Sequence, residues 1–431
     1  MEIKRDYYLD KLIAKKHNGL IKIITGIRRC GKSYLMNNLF FEHLKAEGVP
    51  AKNIIRFAFD SADDLALIGE DLIELEVQNR PVDPQKFLKY IKSKVKSEDK
   101  MYYLLLDEVQ LLGNFEAVLN GYLRKKNMDV YVSGSNARFL SSDIVTEFAG
   151  RGDVVQMYPL SFAEFMQVSQ KEKYDALNEY MLYGGIPLVA LQEDPAEKEA
   201  MLKNLFDEIY VRDIVKRNKI RNIGEFEDLL NVLSSAVGSY TNPEKLKNTF
   251  HSKKNSKITT GTIRKYIAAL EDSFLVESAS RYDIKGKSYI GTPLKYYFTD
   301  SGLRNARLGF RQIEETHLME NVVFNELKRR GLQVDVGVVT VSEKVGGKSK
   351  RKNLEVDFIC NRGSKRCYIQ SAFAIPDEEK RKQETASLIK INDSFKKIIV
   401  VKDGISGWYT EEGIHVVNIF DFLLNPDVLN M

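Results

Sequence analysis

The stretch Ile21-Lys22-Ile23-Ile24-Thr25-Gly26-Ile27-Arg28-Arg29-Cys30-Gly31-Lys32-Ser33 decides the fold. An apolar β-type run leads into a loop of the pattern GxxxxGK[ST], and a helical stretch follows from Tyr34 to Leu44. That is the setting in which such a loop cradles phosphate. Gly26 and Gly31 let the backbone wrap phosphate oxygens, and the helix N-terminus adds a positive dipole end. Lys32 reaches the terminal phosphates and Ser33 ligates Mg2+. The residues expected around a bound nucleotide are therefore Gly26, Ile27, Arg28, Arg29, Cys30, Gly31, Lys32, Ser33 and Tyr34. Arg28 and Arg29 either grip phosphate or are simply exposed, and Cys30 beside them is by default a packed, inert thiol.

Working outward, further β-type runs at Ile54–Phe59, Tyr102–Leu106 and Val130–Val132 alternate with helical stretches, the pattern of a parallel, doubly wound sheet reaching to about Phe165. Leu106-Asp107-Glu108 places two carboxylates at the carboxyl end of one such strand, where ligands of these sheets bind. Asp107 is expected to hold Mg2+ through water, and Glu108 to orient and deprotonate the water that attacks ATP. Alone, the pair would merely start a helix with favourable charge. Ser135 and Asn136 follow the next run and either touch the γ-phosphate or its water, or cap a helix. Arg151 is either a solvated helix-end cation or an arginine finger aimed at a neighbouring subunit's γ-phosphate.

The 431 residues suggest two to four domains at about 100–200 residues each. Composition, at 43% apolar and 29% charged, is that of ordinary globular proteins, and no apolar run approaches the ~18 residues that cross a bilayer. The mixed-charge start, Met1-Glu2-Ile3-Lys4-Arg5-Asp6, has no signal core behind it, so a cytoplasmic location without membrane contact is expected. Cys30, Cys360 and Cys367 are too few for a disulfide framework and lack the spacing of a zinc site. A net charge of +5 is too mild to imply nucleic acid by itself.

Four segments separate along the chain. Residues 1–165 form the nucleotide-binding core and 166–221 a helical lid broken by a turn at Tyr183-Gly184-Gly185-Ile186-Pro187. Residues 222–300 hold three helical patterns and a hairpin tip near Asp283-Ile284-Lys285-Gly286-Lys287, which suggests a winged helix. Its recognition helix would be Thr259–Leu270, flanked by Lys253, Lys254, Lys257, Arg264 and Lys265, with Lys285 and Lys287 in the wing. Such cations suit DNA phosphates, or form a solvated face on a protein-contact domain. Residues 301–431 are mixed α/β, interrupted by a basic loop at Lys344–Lys352 that is most cheaply a solvated hairpin tip.

Within the tail, Glu320 on a helix, then Glu355-Val356-Asp357 and Tyr368-Ile369-Gln370-Ser371-Ala372 on strands, resemble the PD-(D/E)xK nuclease core. Glu320, Asp357 and Gln370 are thus a possible second divalent-metal site, but Ala372 stands where that core carries its lysine. Unless Lys365 or Lys382 substitutes, the tail reads as a degraded, DNA-binding or structural remnant.

The order of these motifs, with Tyr158-Pro159-Leu160-Ser161-Phe162, the Tyr183–Pro187 turn and Tyr210-Val211-Arg212-Asp213-Ile214, resembles the bacterial and archaeal P-loop ATPases of the AAA+ superfamily that carry a restriction-endonuclease-like C-terminal domain. The resemblance implies that Arg151 is the arginine finger, Ser135 or Asn136 the first sensor and Arg212 a second sensor from the lid. It also implies ATP and Mg2+ as ligands and a homo-oligomer around shared sites. The function expected is an ATP-hydrolysing motor or switch acting on DNA. A signalling or defence switch without nucleic-acid contact, and an ATP-regulated nuclease, are the alternatives.

Overall fold

β1 (Ile21–Thr25) is buried at every position because parallel strands flank it on both sides. The computed structural model describes residues 2–134, 150–254, 256–345, 348–404 and 407–429. Ser135 and Asn136 lie outside the described residues. The chain divides into two units, one of Glu2–Tyr158 with Asp272–Phe274, the other of Pro159–Glu271 with Leu275–Met431. Among the described residues no helix is long and apolar enough to cross a membrane.

In the first unit, β1 joins β2 (Ile54–Ala58), β3 (Tyr102–Asp107), β4 (Met128–Gly134) and β5 (Gly152–Gln156) in one sheet of order β2-β3-β4-β1-β5, every pair parallel. Continuous apolar runs are what a parallel sheet covered on both faces requires. β3 and β4 are buried throughout, as β1 is. One face packs Ile23, Phe57, Leu104 and Val132 against Phe87 of the helix Pro84–Lys94. Phe57 meets the Phe87 ring at 5.2 Å, and emptying its place with alanine would cost about 3–5 kcal/mol. β2 ends the sheet and has a neighbour on one side only.

The second unit begins with helices. Ser161 and Glu164 form a reciprocal cap on the helix Phe162–Phe165, at 2.8 and 3.2 Å. The helix Lys173–Tyr183 stops at Gly184, whose φ of 74° suits glycine, and a Cβ there would lie 2.1 Å from the Asp300 carboxylate. Buried Asp300 accepts N–H groups from Gly185 at 2.7 Å and Leu303 at 3.0 Å, so it fixes the expected Tyr183–Pro187 turn and caps the helix Ser301–Arg307. Burial pushes its carboxyl up to about 6, against the opposing backbone donors.

Three helices, Ile223–Ser235, Pro243–Lys254 and Thr260–Asp272, precede the hairpin of β7 (Val276–Asp283) and β8 (Ser288–Phe298), and Asp283 closes its turn by accepting from Lys285 and Gly286. A mixed sheet of nine strands follows the order β13-β14-β12-β11-β10-β9-β7-β8-β6. Its other members are β6 (Tyr240–Thr241), β9 (Gln333–Val345), β10 (Lys348–Arg362), β11 (Lys365–Ala372), β12 (Lys396–Val401), β13 (Trp408–Tyr409) and β14 (His415–Asn418). β7 pairs in parallel with β9, so hydrogen bonding runs unbroken across residue 300, where the sequence suggested a boundary.

The basic stretch Lys344–Lys352 lies at the end of the β9–β10 hairpin, in keeping with the hairpin-tip reading, and its pairing goes further than that reading did. It does not interrupt the strands as a loop: Lys344 pairs with Ser349 and Lys352 with Val341, in the ribbon of β9 and β10. Backbone pairing runs through this basic stretch, so charge alone is no sign of a loop. A bulge between Val356 and Ile359 then breaks the register at Asp357.

Candidate functional site

The loop between β1 and the helical run Lys32–Tyr34, Leu35–Phe40 and Phe41–Ala46 has backbone that few residues tolerate: φ is 144° at Gly26, 63° at Arg29 and 100° at Gly31. At Gly26 a Cβ would lie 2.0 Å from the Met157 carbonyl oxygen, so no other residue fits. Lys32 is buried, its ammonium donating to the carbonyls of Gly26 and Ile27 at 3.0 Å each. Cys30 is fully buried with its thiol 3.6 Å from the Met157 carbonyl, a packed thiol as expected by default. Ser33 and Tyr34 are exposed just past the loop, as is Arg29, while Arg28 is half-buried. Arg5 braces the loop from behind, donating to the carbonyls of Cys30 at 2.9 Å and Tyr158 at 2.7 Å.

Asp107 and Glu108 leave the carboxyl end of β3, on the same edge as the loop. Buried Asp107 accepts from the Ser133 hydroxyl at the end of β4 and from the Glu108 N–H at 3.2 Å. Glu108 itself has φ 49°, a left-handed conformation rare outside glycine and asparagine, and Gln110 donates to its carboxylate.

Asp60 is a member of this edge that the sequence reading missed. Phe59 donates to the Asp107 carbonyl at 3.1 Å, which carries the chain from β2 past Asp107 and leaves Asp60 with the other two carboxylates. Partial burial raises its carboxyl above the ordinary value first, then the charges of Glu108 and Asp107, with Arg28 of the loop opposing. An acid two residues past the end of a strand whose last residue, Ala58, pairs with Asp107 was the available signal.

Arg151 is placed elsewhere. Its carbonyl accepts from Ile21 at 2.9 Å, at the amino ends of β1 and β5, and its exposed guanidinium donates to Asn120 at 3.2 Å. The length of β1 separates it from the loop of its own chain, about 15 Å at ~3.3 Å per residue. Arg212 is exposed at the start of the helix Arg212–Asn218 in the other unit.

This edge fits ATP with Mg2+. Gly26 of its backbone cradle cannot accept a Cβ, its lysine is held among the described residues by two neutral carbonyls, and a hydroxyl and a carboxylate stand at Ser33 and Asp107.

Among the described residues no group of three or more Asp, Glu, His or Cys side chains is arranged to hold a metal ion. Glu320, on the helix Glu315–Arg329, meets a cation of the chain itself: the Lys295 ammonium of β8 lies 2.9 Å from Glu320 and 2.7 Å from Glu355. The Tyr297 hydroxyl donates to Glu320 at 2.7 Å. Asp357 accepts the Ser371 N–H at 2.8 Å, and the Gln370 side-chain carbonyl faces the Asp357 N–H at 3.4 Å. Burial lowers the pKa of Lys295, but Glu320, Asp357 and Glu355 outweigh it and hold the ammonium above the ordinary lysine range. Burial and the Glu320 charge push the Asp357 carboxyl well up, with Lys295 opposing. Lys365 and Lys382 are exposed elsewhere, so Lys295 fills the cluster in place of either.

Residues 18–166 match the family described as an AAA domain, and 174–314 a domain of unknown function, DUF8612. An uncharacterized protein of Haemophilus influenzae is 34% identical over 98% of this chain and 98% of its own length. Another, of Methanocaldococcus jannaschii, is 28% identical over 97% of this chain and 90% of its own. Among solved structures, the Orc1 protein of Aeropyrum pernix in complex with DNA aligns at 13% identity over 72% of this chain and 93% of that one, with a TM-score of 0.31.

Proposed function

We propose that this chain, which belongs to the AAA-domain family of P-loop proteins, binds ATP with Mg2+ and hydrolyses it in an assembly of its own copies, as a motor or switch acting on DNA. The observation that carries the reading is the convergence of Lys32, Asp107 and Glu108 on one sheet edge while Arg151 stands at the other.

Lys32 exchanges its two loop carbonyls for the β- and γ-phosphate oxygens, and the loop N–H groups hold the phosphate chain. Ser33 and Asp107 would hold the Mg2+, which supplies charge neutralisation between the phosphates. Glu108 takes the proton of the water that attacks the γ-phosphorus, and ADP leaves with the bridging oxygen. Ser135 or Asn136 orients that water, and Arg212 acts as a second sensor from the lid. Arg151 is too far from its own loop to act there, so it completes the site of an adjoining copy.

Mixing tests this division. Glu108→Gln and Arg151→Ala should each bind nucleotide and stall; mixed assemblies should regain turnover, because some interfaces pair an intact Glu108 with an intact Arg151. No recovery on mixing, with assembly intact, sinks the shared site.

Residues 222–300 act as a winged helix on DNA phosphates. Arg264 and Lys265 are exposed on the helix Thr260–Asp272, which buries Ile263, Tyr266, Ile267 and Leu270 on its other side, and Lys285 and Lys287 are exposed in the β7–β8 turn. Turnover should rise with DNA, and duplex binding should weaken with salt. The nuclease-like tail is a structural or DNA-binding remnant, since its carboxylates are matched to Lys295.

A further inference from the structure

The helix pair after β2, Ala62–Leu67 and Leu72–Gln78, leaves three aliphatic side chains in water: Leu67 is 59% exposed, Ile73 71% and Val77 81%. Ile73 and Val77 share one face of their helix, while Leu75 on the other holds it to the core. Glu74 and Glu76 are exposed beside that face. Glu74 accepts from the neutral Gln78 amide at 2.9 Å, while Asp64 accepts the Ala58 N–H at 2.8 Å and Glu70 meets Arg80 at 2.7 Å and Lys86 at 3.0 Å. Grouped aliphatic side chains this exposed mark a contact surface.

Alongside β2 runs a groove of about 890 Å³ whose walls include Lys52, Arg56, Lys94, Lys96 and Lys100, all exposed, with Tyr90 among them. A helix of seven residues is about 10 Å long, and this one can enter the groove by its exposed face only, since Leu75 holds the other face to its own core. Its acids meet opposite charge there.

We propose that the helix Leu72–Gln78 of one copy docks in this groove of a second copy, with Ile73 and Val77 toward Tyr90 and with Glu74 and Glu76 among the lysines. Asp64 belongs to the docking segment and also lines the groove, so donor and acceptor surfaces adjoin and the contact is made twice about a two-fold axis. It uses neither the P-loop nor Arg151 and needs no nucleotide, which separates it from the ATP-site assembly proposed above.

Sedimentation velocity on the full chain without nucleotide tests it. The expected result is a monomer–dimer equilibrium weakened by salt and weakened about tenfold or more by Ile73→Asp or Val77→Asp. Both positions are exposed, and an unchanged melting temperature would confirm that the variants fold. Glu76→Lys and Lys94→Glu should each weaken the dimer and together restore part of it, while Lys32→Ala leaves it intact. A monomer at every concentration, a dimer indifferent to Val77→Asp, or a double charge reversal no better than the single ones would overturn the proposal.

Discussion

Lys32 and Lys295 are both lysines removed from water, 5% and 4% exposed, and the company each keeps is opposite. Lys32 rests on two neutral carbonyls of its own loop, at 3.0 Å each. Lys295 is ion-paired with Glu320 and Glu355, and the Asp357 charge adds to their effect. Carbonyls satisfy an ammonium's hydrogen bonds without neutralising it, so phosphate can take it from them at little cost. Carboxylates neutralise it and bind it by charge, so an incoming anion has nothing to gain. A buried lysine therefore reads as a binding group or as a lock according to whether its partners carry charge.

Removing the first lysine should break the comparison most visibly. Lys32→Ala is expected to lower nucleotide affinity by about a hundredfold or more, the scale of a charged, desolvated phosphate contact. Titration with a fluorescent ATP analogue reads it, and unimpaired binding would make Lys32 a structural residue like its counterpart. Lys295→Met should leave per-molecule nucleotide affinity alone but destabilise the fold by about 3–5 kcal/mol, because its carboxylates lose their counter-charge. Urea unfolding of the full chain checks it, and adding Glu320→Gln should recover part of the loss.

Asp300 sharpens the contrast as a buried charge with only backbone donors. Its folded value of about 6 lies above the unfolded carboxylate value, so its contribution is greatest below about pH 4 and is lost as pH rises through 6. The stability difference between wild type and Asp300→Asn should fall by about 3 kcal/mol across that window, at about 1.4 kcal/mol per pH unit, and stay flat above it. A difference that does not change with pH would put the Asp300 carboxyl at its ordinary value. The smallest effect is expected at an exposed charge: Arg264→Ala should reduce the salt slope of duplex binding by about one and leave stability unchanged.

The P-loop edge was legible in the sequence because its chemistry is local. Gly26 to Ser33 are consecutive, Asp107 and Glu108 are adjacent, and the apolar runs ahead of them could be only parallel strands or buried helix. The Lys295 cluster was not, because β8, the helix Glu315–Arg329, β10 and β11 contribute residues far apart in sequence that only the fold brings together. Ala372 was read as a missing lysine, yet the lysine comes from before the tail. Asp60 was overlooked because it lies nearly fifty residues from Asp107 in sequence, and only the pairing of β2 with β3 brings the two together. The hairpin tip at Lys344–Lys352 was legible, but the strand pairing that runs through it was not, because charge masked it.

Arg5 gives the loop a reach beyond its own contacts. One guanidinium holds the Cys30 carbonyl inside the P-loop and the Tyr158 carbonyl where the chain leaves the first unit, and the Tyr158 N–H is held in turn by the Tyr8 hydroxyl at 3.0 Å. A single planar guanidinium thus ties the backbone of the phosphate loop to the last residue of the Glu2–Tyr158 stretch, a connection made independently of the sheet.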